Sequence, residues 1–343
     1  MNKLWLHTIR AYVRLGLFFY FKSIQVNGLK NIPNNKPIII LCNHQNALLD
    51  ALIIAAKTHR FSYFLTRASV FKKKNIAKLL RSLQMLPVFR IRDGWSTISK
   101  NEVIFHQCSD VLSNNASLAI FPEGNHSLER RVRPLSKGFT RIINDAYDKY
   151  PELDLKLIPA GLNYAYATKY PEKVSVNFGP SIDVENYLKG NKVEDSTALK
   201  QVVYDEISQL TTNIPQSNYE LILSQLNAKK VNWLEPTPIN SFITNNSGNF
   251  TGNTRQNQSF ISKAFKMPLI VGVLPVYVLW KLWILPKIKE NEFIGTFRFG
   301  VAVTLVPLYL ITFSLLLSLS LGATMGFVFI LMVLLLALLT AKC

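Results

Sequence analysis

Acidic residues are scarce in this chain: 21 Asp and Glu stand against 39 Lys and Arg, a formal net charge of +18 over 343 residues. Such a surplus favours anionic partners, namely nucleic acid, an acidic bilayer face or phosphorylated ligands. No RNA- or DNA-binding signature accompanies it, so nucleic acid is not an expected partner. Cysteine is also sparse. Cys42, Cys108 and Cys343 are odd in number and scattered, which gives no disulfide framework and points to a reducing compartment for the main domain. The nearest approach to a metal set, His106, Cys108 and His126, makes no convincing zinc site. No G-x-S-x-G elbow supplies a serine nucleophile. The N-terminal stretch is not expected to act as a cleavable signal peptide, because Arg10 and Arg14 interrupt its apolar part and no small-residue cleavage site follows.

Charge is absent altogether from two long apolar runs near the C-terminus, Gly300 to Leu319 and about Met325 to Ala341, joined by the short "SLSLGAT". These lengths predict a tight transmembrane helical hairpin over 300–341 within a membrane region, 266–343. Within 267–286, Lys281, Pro275 and Pro286 break the pattern, which predicts a re-entrant or interfacial segment, with a third span as the rival. Basic residues flank it on both sides (Lys263 and Lys266, then Lys287, Lys289 and Arg298). Basic flanks prefer the cytoplasm, so a full crossing would put one group outside. At the other end, residues 1–25 read as an amphipathic membrane-interface helix. Lys3, His7, Arg10 and Arg14 share one face, and Trp5, Ile9, Tyr12 and Phe19 lie towards the other.

Between these ends, residues 26–234 alternate short β-type runs with helical periodicity. "KPIIILC", "FSYFLTR", "MLPVFRI", "SLAI", "LKLIPAGLNY" and "VSVNFGPSI" read as strands, separated by helical stretches. The alternation predicts an α/β domain, a mainly parallel sheet flanked by helices. Strands covered on both faces account for continuous runs such as "IIIL". Residues 235–265, rich in Asn, Gly, Ser, Thr and Pro, are expected to form a polar linker.

Four stretches of the α/β domain could carry chemistry. "NHQNALLD" follows the first strand, which puts His44 at the C-terminal edge of the sheet, where ligands of α/β folds bind. A histidine there can take a proton from a hydroxyl if a carboxylate such as Asp50 holds its second nitrogen. Six helical steps would turn the two side chains apart, so they can meet only if the segment between them begins as a loop. "FPEGNHS" follows the strand "SLAI". Its Pro-Glu-Gly makes a fixed turn that can hold Glu123 and backbone N–H groups of Gly124 against a polar ligand. On the turn alone, a surface loop with an ordinary exposed glutamate is the stronger reading. In "LPVFRIRDG", Arg90 and Arg92 share a strand face, which suits phosphate and equally suits a solvated edge. "LIPAGLNY" is a buried strand needing close backbone approach at Gly161.

In this order the four stretches resemble the sequence blocks of the glycerophospholipid acyltransferase family, the lysophosphatidate and glycerol-3-phosphate acyltransferases. "FPEGNHS" fits the family's F-P-E-G-x-x-S residue for residue, and the similarity covers about 26 to 212. "PLSKGFTRI" resembles the Lys-Gly helix start that follows the third block. The first block departs from the common pattern: five residues, not four, separate His44 from Asp50, a spacing similar to that of some fungal glycerol-3-phosphate acyltransferases.

The resemblance implies a membrane-bound acyltransferase. His44 is the general base and Asp50 orients its ring. Arg90, Arg92 and Lys137 hold the acceptor's phosphate, with the choice between the two arginines open, and Glu123 and Gly124 shape the acceptor site. The donor is acyl-CoA or acyl carrier protein, the acceptor lysophosphatidate or a similar glycerol phospholipid, and no metal or redox cofactor is implied. Glycerol-3-phosphate or another lysophospholipid is the alternative acceptor, and a non-catalytic lipid-binding protein of the membrane is the alternative of another class. The basic stretch with Lys72, Lys73, Lys74, Lys78 and Arg81 suits anionic lipid or an acidic carrier as well as plain solvent. The expected location is an integral membrane protein with its catalytic domain on the cytoplasmic side.

Overall fold

The computed structural model describes residues 3–89, 99–245, 250–254 and 260–343. Its centre is an eight-stranded sheet formed by β1 (Phe21–Asn27), β2 (Ile38–Cys42), β3 (Ser62–Arg67), β4 (Met85–Val88), β5 (Ser117–Ile120), β6 (Lys156–Tyr164), β7 (Glu172–Phe178) and β8 (Ile182–Asp183). The order is β1-β7-β6-β2-β5-β3-β4, with β8 beside β6. From β4 through β3, β5 and β2 to β6 every pairing is parallel, as the alternating pattern predicts. The other end is mixed: β7 and β8 run antiparallel to β6, and β1 pairs parallel with β7. The cause is local, since the 165–171 connection is too short for the crossover that a parallel neighbour would need.

Helices cover both faces. β2 shows why. Ile38, Ile40 and Cys42 face one core with α1 (Lys3–Tyr20) and α2 (Ala47–Lys57). Ile39 and Leu41 face the other core, with α4 (Asn101–Ser113), α5 (Gly138–Lys149) and α6 (Lys192–Leu210). The two-residue period of a strand thus sorts one apolar run into two layers. Helix α3 (Lys74–Ser82), the basic stretch, buries no side chain and leaves Ile76 and Leu79 exposed.

Three expectations gain detail. Within the cationic stripe of α1, Arg10 and Arg14 reach the α/β domain, while Lys3 and His7 are exposed. Arg10 donates to the carbonyl of Arg60 (2.6 Å) and Arg14 to that of Ala56 (2.7 Å), meeting carbonyls at the C-terminal end of α2. The apolar side, with Leu4, Tyr12, Leu15 and Phe18, is also exposed. The helix also stops at Tyr20, where β1 starts, short of residue 25. Second, the polar stretch after 235 is partly helical. α8 (Pro236–Asn245) follows α7 (Tyr219–Ala228), and its Ile239, with Phe242 and Ile243 three and four positions on, packs on Ile214, Leu226, Val231 and Trp233. Third, the apolar hairpin begins earlier than Gly300.

That hairpin consists of α11 (Phe293–Leu321) and α12 (Ala323–Lys342), both long and apolar enough to cross a membrane. Arg298 does not end α11, because the α/β domain satisfies its guanidinium. It donates to the Tyr20 hydroxyl (2.9 Å) and the carbonyls of Thr168 (3.0 Å) and Lys169 (2.6 Å). α12 returns to the same domain, where Lys342 Nζ donates to Phe21 O (2.7 Å). Before the hairpin, α9 (Phe260–Gly272) and α10 (Leu274–Leu279), continued by the turns to Lys287, meet at a 95° bend. This bent segment starts beside the domain end of α12, with Ser262 Oγ 2.8 Å from Thr340 O. It finishes beside the sheet edge, with Glu290 3.4 Å from His126.

Candidate active site

The sheet register assembles the first two motifs. Leu41 of β2 lies opposite Ile120 of β5. His44 and Glu123 each come three residues beyond that pair, at the C-terminal ends of adjacent parallel strands. Asn43 extends the pairing with its side chain: Nδ2 donates to Leu162 O (3.0 Å) and Oδ1 accepts from Leu162 N (2.7 Å). The chain leaves the sheet at a fixed point, and His44 follows.

His44 Nδ1 lies 2.8 Å from Asp50 Oδ2, with the histidine side chain 18% exposed and the aspartate fully buried. Asp50 sits in the first turn of α2, and the chain wraps around its carboxylate. The same Oδ2 accepts from the amides of Gln45 (2.8 Å) and Asn46 (2.7 Å), and Oδ1 accepts from the Tyr164 hydroxyl (2.6 Å). The five-residue spacer closes this circle through one unusual residue, Ala47, at φ +43°. A left-handed conformation costs an ordinary L-residue about 1–2 kcal/mol, so the surrounding contacts must hold it. Phe121 completes the setting of His44, stacked on its ring at 4.1 Å, and Ser127 N donates to His44 O (3.0 Å).

The second turn is less satisfied. Glu123, its side chain 2% exposed, receives Arg133 on Oε2, with Nε at 2.8 Å and Nη2 as a second donor. Its other oxygen, Oε1, is buried without a hydrogen-bond partner. Burial holds this carboxyl above the ordinary carboxylate range, with the Arg133 cation pulling the other way. Gly124 adopts φ +76°, a conformation that favours glycine, and a Cβ there would meet open space. His126, two residues on, brings its ring to 5.7 Å from that of His44 and packs edge-on against Phe293 of α11. Burial and the nearby His44 push its imidazole below the ordinary range.

Among the predicted residues, then, the structure gathers His44, Asp50, Glu123 and Gly124 at one edge. Lys137 stands at the start of α5, with an exposed side chain. Its neighbour Ser136 is tied to the turn through Ser136 N to Pro122 O (2.7 Å). Arg90 and Arg92 lie outside the described residues. Arg133, Tyr164, Asn43, His126 and Thr296 were not predicted. Tyr164 had a signal: it ends β6 on the face shared by Ile158, Ala160 and Leu162, the face that packs on α2. Arg133 had none, because it lies ten positions along an irregular chain from Glu123. Thr296 comes from a remote helix.

Chemically, a carboxylate that accepts from Nδ1–H leaves the lone pair of the imidazole on Nε2. Nε2 can then take a proton from a hydroxyl, and Asp50 stabilises the imidazolium that forms. The described residues contain no group of three His, Cys, Asp or Glu side chains able to hold a metal ion.

The comparisons agree with the motifs gathered at this edge. Residues 23–163 match the family model described as Acyltransferase. The matched stretch is similar to that family and reaches all four motifs, so the resemblance stands at that level. "Glycerol-3-phosphate O-acyltransferase 1" of Saccharomyces cerevisiae is 27% identical over 125 residues, 35% of this chain and 16% of that protein. "1-acyl-sn-glycerol-3-phosphate acyltransferase BAT2, chloroplastic" of Brassica napus is 23% identical over 131 residues, 38% of this chain and 36% of that protein. The chain thus covers well under half the length of either relative. The crystal structure of the 1-acyl-sn-glycerophosphate (LPA) acyltransferase PlsC from Thermotoga maritima aligns with a TM-score of 0.42 at 19% identity, over 58% of this chain and 78% of that one.

Proposed function

We propose that the chain is a membrane-bound O-acyltransferase that moves a fatty acyl group from a thioester, on coenzyme A or acyl carrier protein, to a hydroxyl of a glycerol phosphate acceptor. The observation that carries this reading is the His44–Asp50 contact at 2.8 Å beside a glutamate with an unpartnered buried oxygen. His44 Nε2 removes the hydroxyl proton as the oxygen attacks the thioester carbonyl. The tetrahedral adduct collapses, the C–S bond breaks, and the imidazolium returns its proton to the leaving thiolate. Glu123 Oε1 accepts from a hydroxyl of the acceptor, and Gly124 leaves room for it. Lys137, with Arg90 or Arg92, meets the acceptor's phosphate.

Lysophosphatidate is the first reading of the acceptor. Glycerol-3-phosphate is the second, supported by the five-residue spacer and by the name of the yeast relative. The bilayer takes up α11, α12 and the exposed apolar side of α1. The bent α9–α10 segment is re-entrant, since both its ends lie by the α/β domain. Its basic flanks favour the cytoplasmic side for that domain.

The test supplies the purified protein, in proteoliposomes, with labelled acyl-CoA or acyl carrier protein and one acceptor at a time: lysophosphatidate, glycerol-3-phosphate or another lysophospholipid. The expected result is labelled phospholipid that disappears in His44→Ala. Binding without turnover for every donor and acceptor overturns the reading in favour of a lipid-binding protein. Full activity in His44→Ala overturns the mechanism. Protease cleavage at the hairpin turn near Gly322, from the side opposite the α/β domain, checks the topology.

A further inference from the structure

The spacer between His44 and Asp50 does not hold its shape alone. The first turn of α11, more than 240 residues away in sequence, fits against its strained point. Leu49 N closes the turn on Asn46 O (3.0 Å), and Thr296 Oγ1 clamps that same pair from outside, donating to Asn46 O (3.1 Å) and accepting from Leu49 N (3.2 Å). Asn46 is anchored a second time, Nδ2 donating to Ala167 O (3.0 Å). Gly295 is what allows the approach: a Cβ there would stand 2.6 Å from Asn46 Oδ1 and 3.0 Å from Ala167 O. The next turn of α11 is fixed in place by the three hydrogen bonds of Arg298 to Tyr20, Thr168 and Lys169. The helix is therefore seated rigidly where its hydroxyl meets the loop.

A left-handed alanine reverts towards ordinary backbone angles unless its surroundings over-determine it. Here the reversion would unwind the turn that delivers the Gln45 and Asn46 amides, and with them His44, to Asp50 Oδ2. We propose that Thr296, admitted by Gly295, is the positioning residue that holds the His44–Asp50 spacer in its catalytic conformation, which makes the apolar C-terminal helix part of the active site as well as an anchor. This rests on the acyltransferase reading for its kinetic consequence, but not for its structural one.

The experiment uses the full chain in proteoliposomes and two readouts. Thr296→Val keeps the shape and removes the hydroxyl, and it is expected to lower kcat about ten- to a hundredfold through misplacement of the base, with KM for the acceptor little changed. Thr296→Ser restores the hydroxyl and is expected to stay within about threefold of the native kcat, a rescue that a loss of packing would not show. Gly295→Ala, which pushes on Asn46, should follow Thr296→Val. The second readout is hydrogen exchange in peptides spanning 43–52, where exchange should rise in Thr296→Val and not in Thr296→Ser. Unchanged kcat and unchanged exchange in Thr296→Val overturn the proposal, as does an equal loss in the Ser and Val variants. If the native protein transfers no acyl group, the functional reading fails, and the exchange measurement still decides whether Thr296 holds the loop.

Discussion

Asp50 and Glu123 are both buried carboxylates at the edge of one sheet, and they are wired in opposite ways. Asp50 is saturated: two amides, an imidazole and a phenol occupy its two oxygens. Glu123 is half-used, with Arg133 on one oxygen and nothing on the other. A saturated buried carboxylate can orient a neighbour but has no capacity left for a ligand. A buried oxygen without a partner carries a desolvation penalty that a bound hydroxyl would relieve. The contrast divides the site into a part that prepares the base and a part that receives the acceptor.

Substitutions at the two carboxylates should therefore fail differently. Asp50→Asn gives the largest effect. An amide cannot accept three donors on one atom, and it presents its own donor to the histidine, favouring the wrong tautomer. The expected loss in kcat is about 10³- to 10⁴-fold, measured by acyl transfer at saturating acceptor. Glu123→Gln keeps an acceptor for Arg133 and changes the receiving oxygen. It should raise KM for the acceptor about tenfold or more, the worth of one hydrogen bond to a charged group, with a smaller change in kcat. If both variants lose kcat alone, the division of labour is wrong. Tyr164→Phe is the milder probe of the saturated end. It strips one donor from Asp50 and leaves His44 in contact, so kcat should fall about tenfold and the unfolding free energy by about 1–3 kcal/mol, the cost of an unsatisfied buried acceptor.

The sequence made the local part of this arrangement legible. A strand ending in "ILC" placed His44 at the sheet edge, and the six-residue interval required a loop between it and Asp50. Pro-Glu-Gly fixed the second turn. Hidden from it were contacts made across the fold. Arg133 reaches Glu123 over a stretch with no periodicity, and Thr296 reaches Asn46 from a helix that reads as lipid-facing. The partners of Arg10 and Arg14 are hidden for the same reason: a stripe that fits lipid headgroups also fits the carbonyl end of a helix, and only the position of α2 supplies those carbonyls. α8 was missed because its apolar stripe is short and set in a polar composition, so packing on Trp233 and Leu226, not propensity, makes it a helix. The sheet's parallel half followed from the strand–helix alternation, while the antiparallel β7 depended on the short 165–171 connection.

A third buried carboxylate separates burial from chemistry. Glu172, 3% exposed, opens β7, and its Oε1 accepts from the amides of Tyr166 (2.9 Å) and Lys173 (2.8 Å). Like Glu123 it has a buried oxygen without a hydrogen-bond partner. Unlike Glu123 it is not part of the turn that follows β5. Burial holds its carboxyl well above the ordinary range, against the pull of backbone hydrogen bonds and the cations of Arg130 and Arg298. A carboxyl whose folded pKa is raised binds its proton more tightly folded than unfolded. Its contribution to stability is therefore complete below the unfolded value near 4.5 and is lost as pH rises through the folded value. Glu172→Gln keeps the Oε1 acceptor and removes the titration. The variant should transfer acyl groups within about threefold of the native rate, since most substitutions away from reacting atoms act on stability. Its melting temperature should decline less between pH 5 and pH 8 than that of the native protein. Parallel melting profiles would show that Glu172 is ionised at no cost. A loss of activity as large as that of Glu123→Gln would show that an orphaned carboxylate oxygen marks burial in this fold and not the acceptor site.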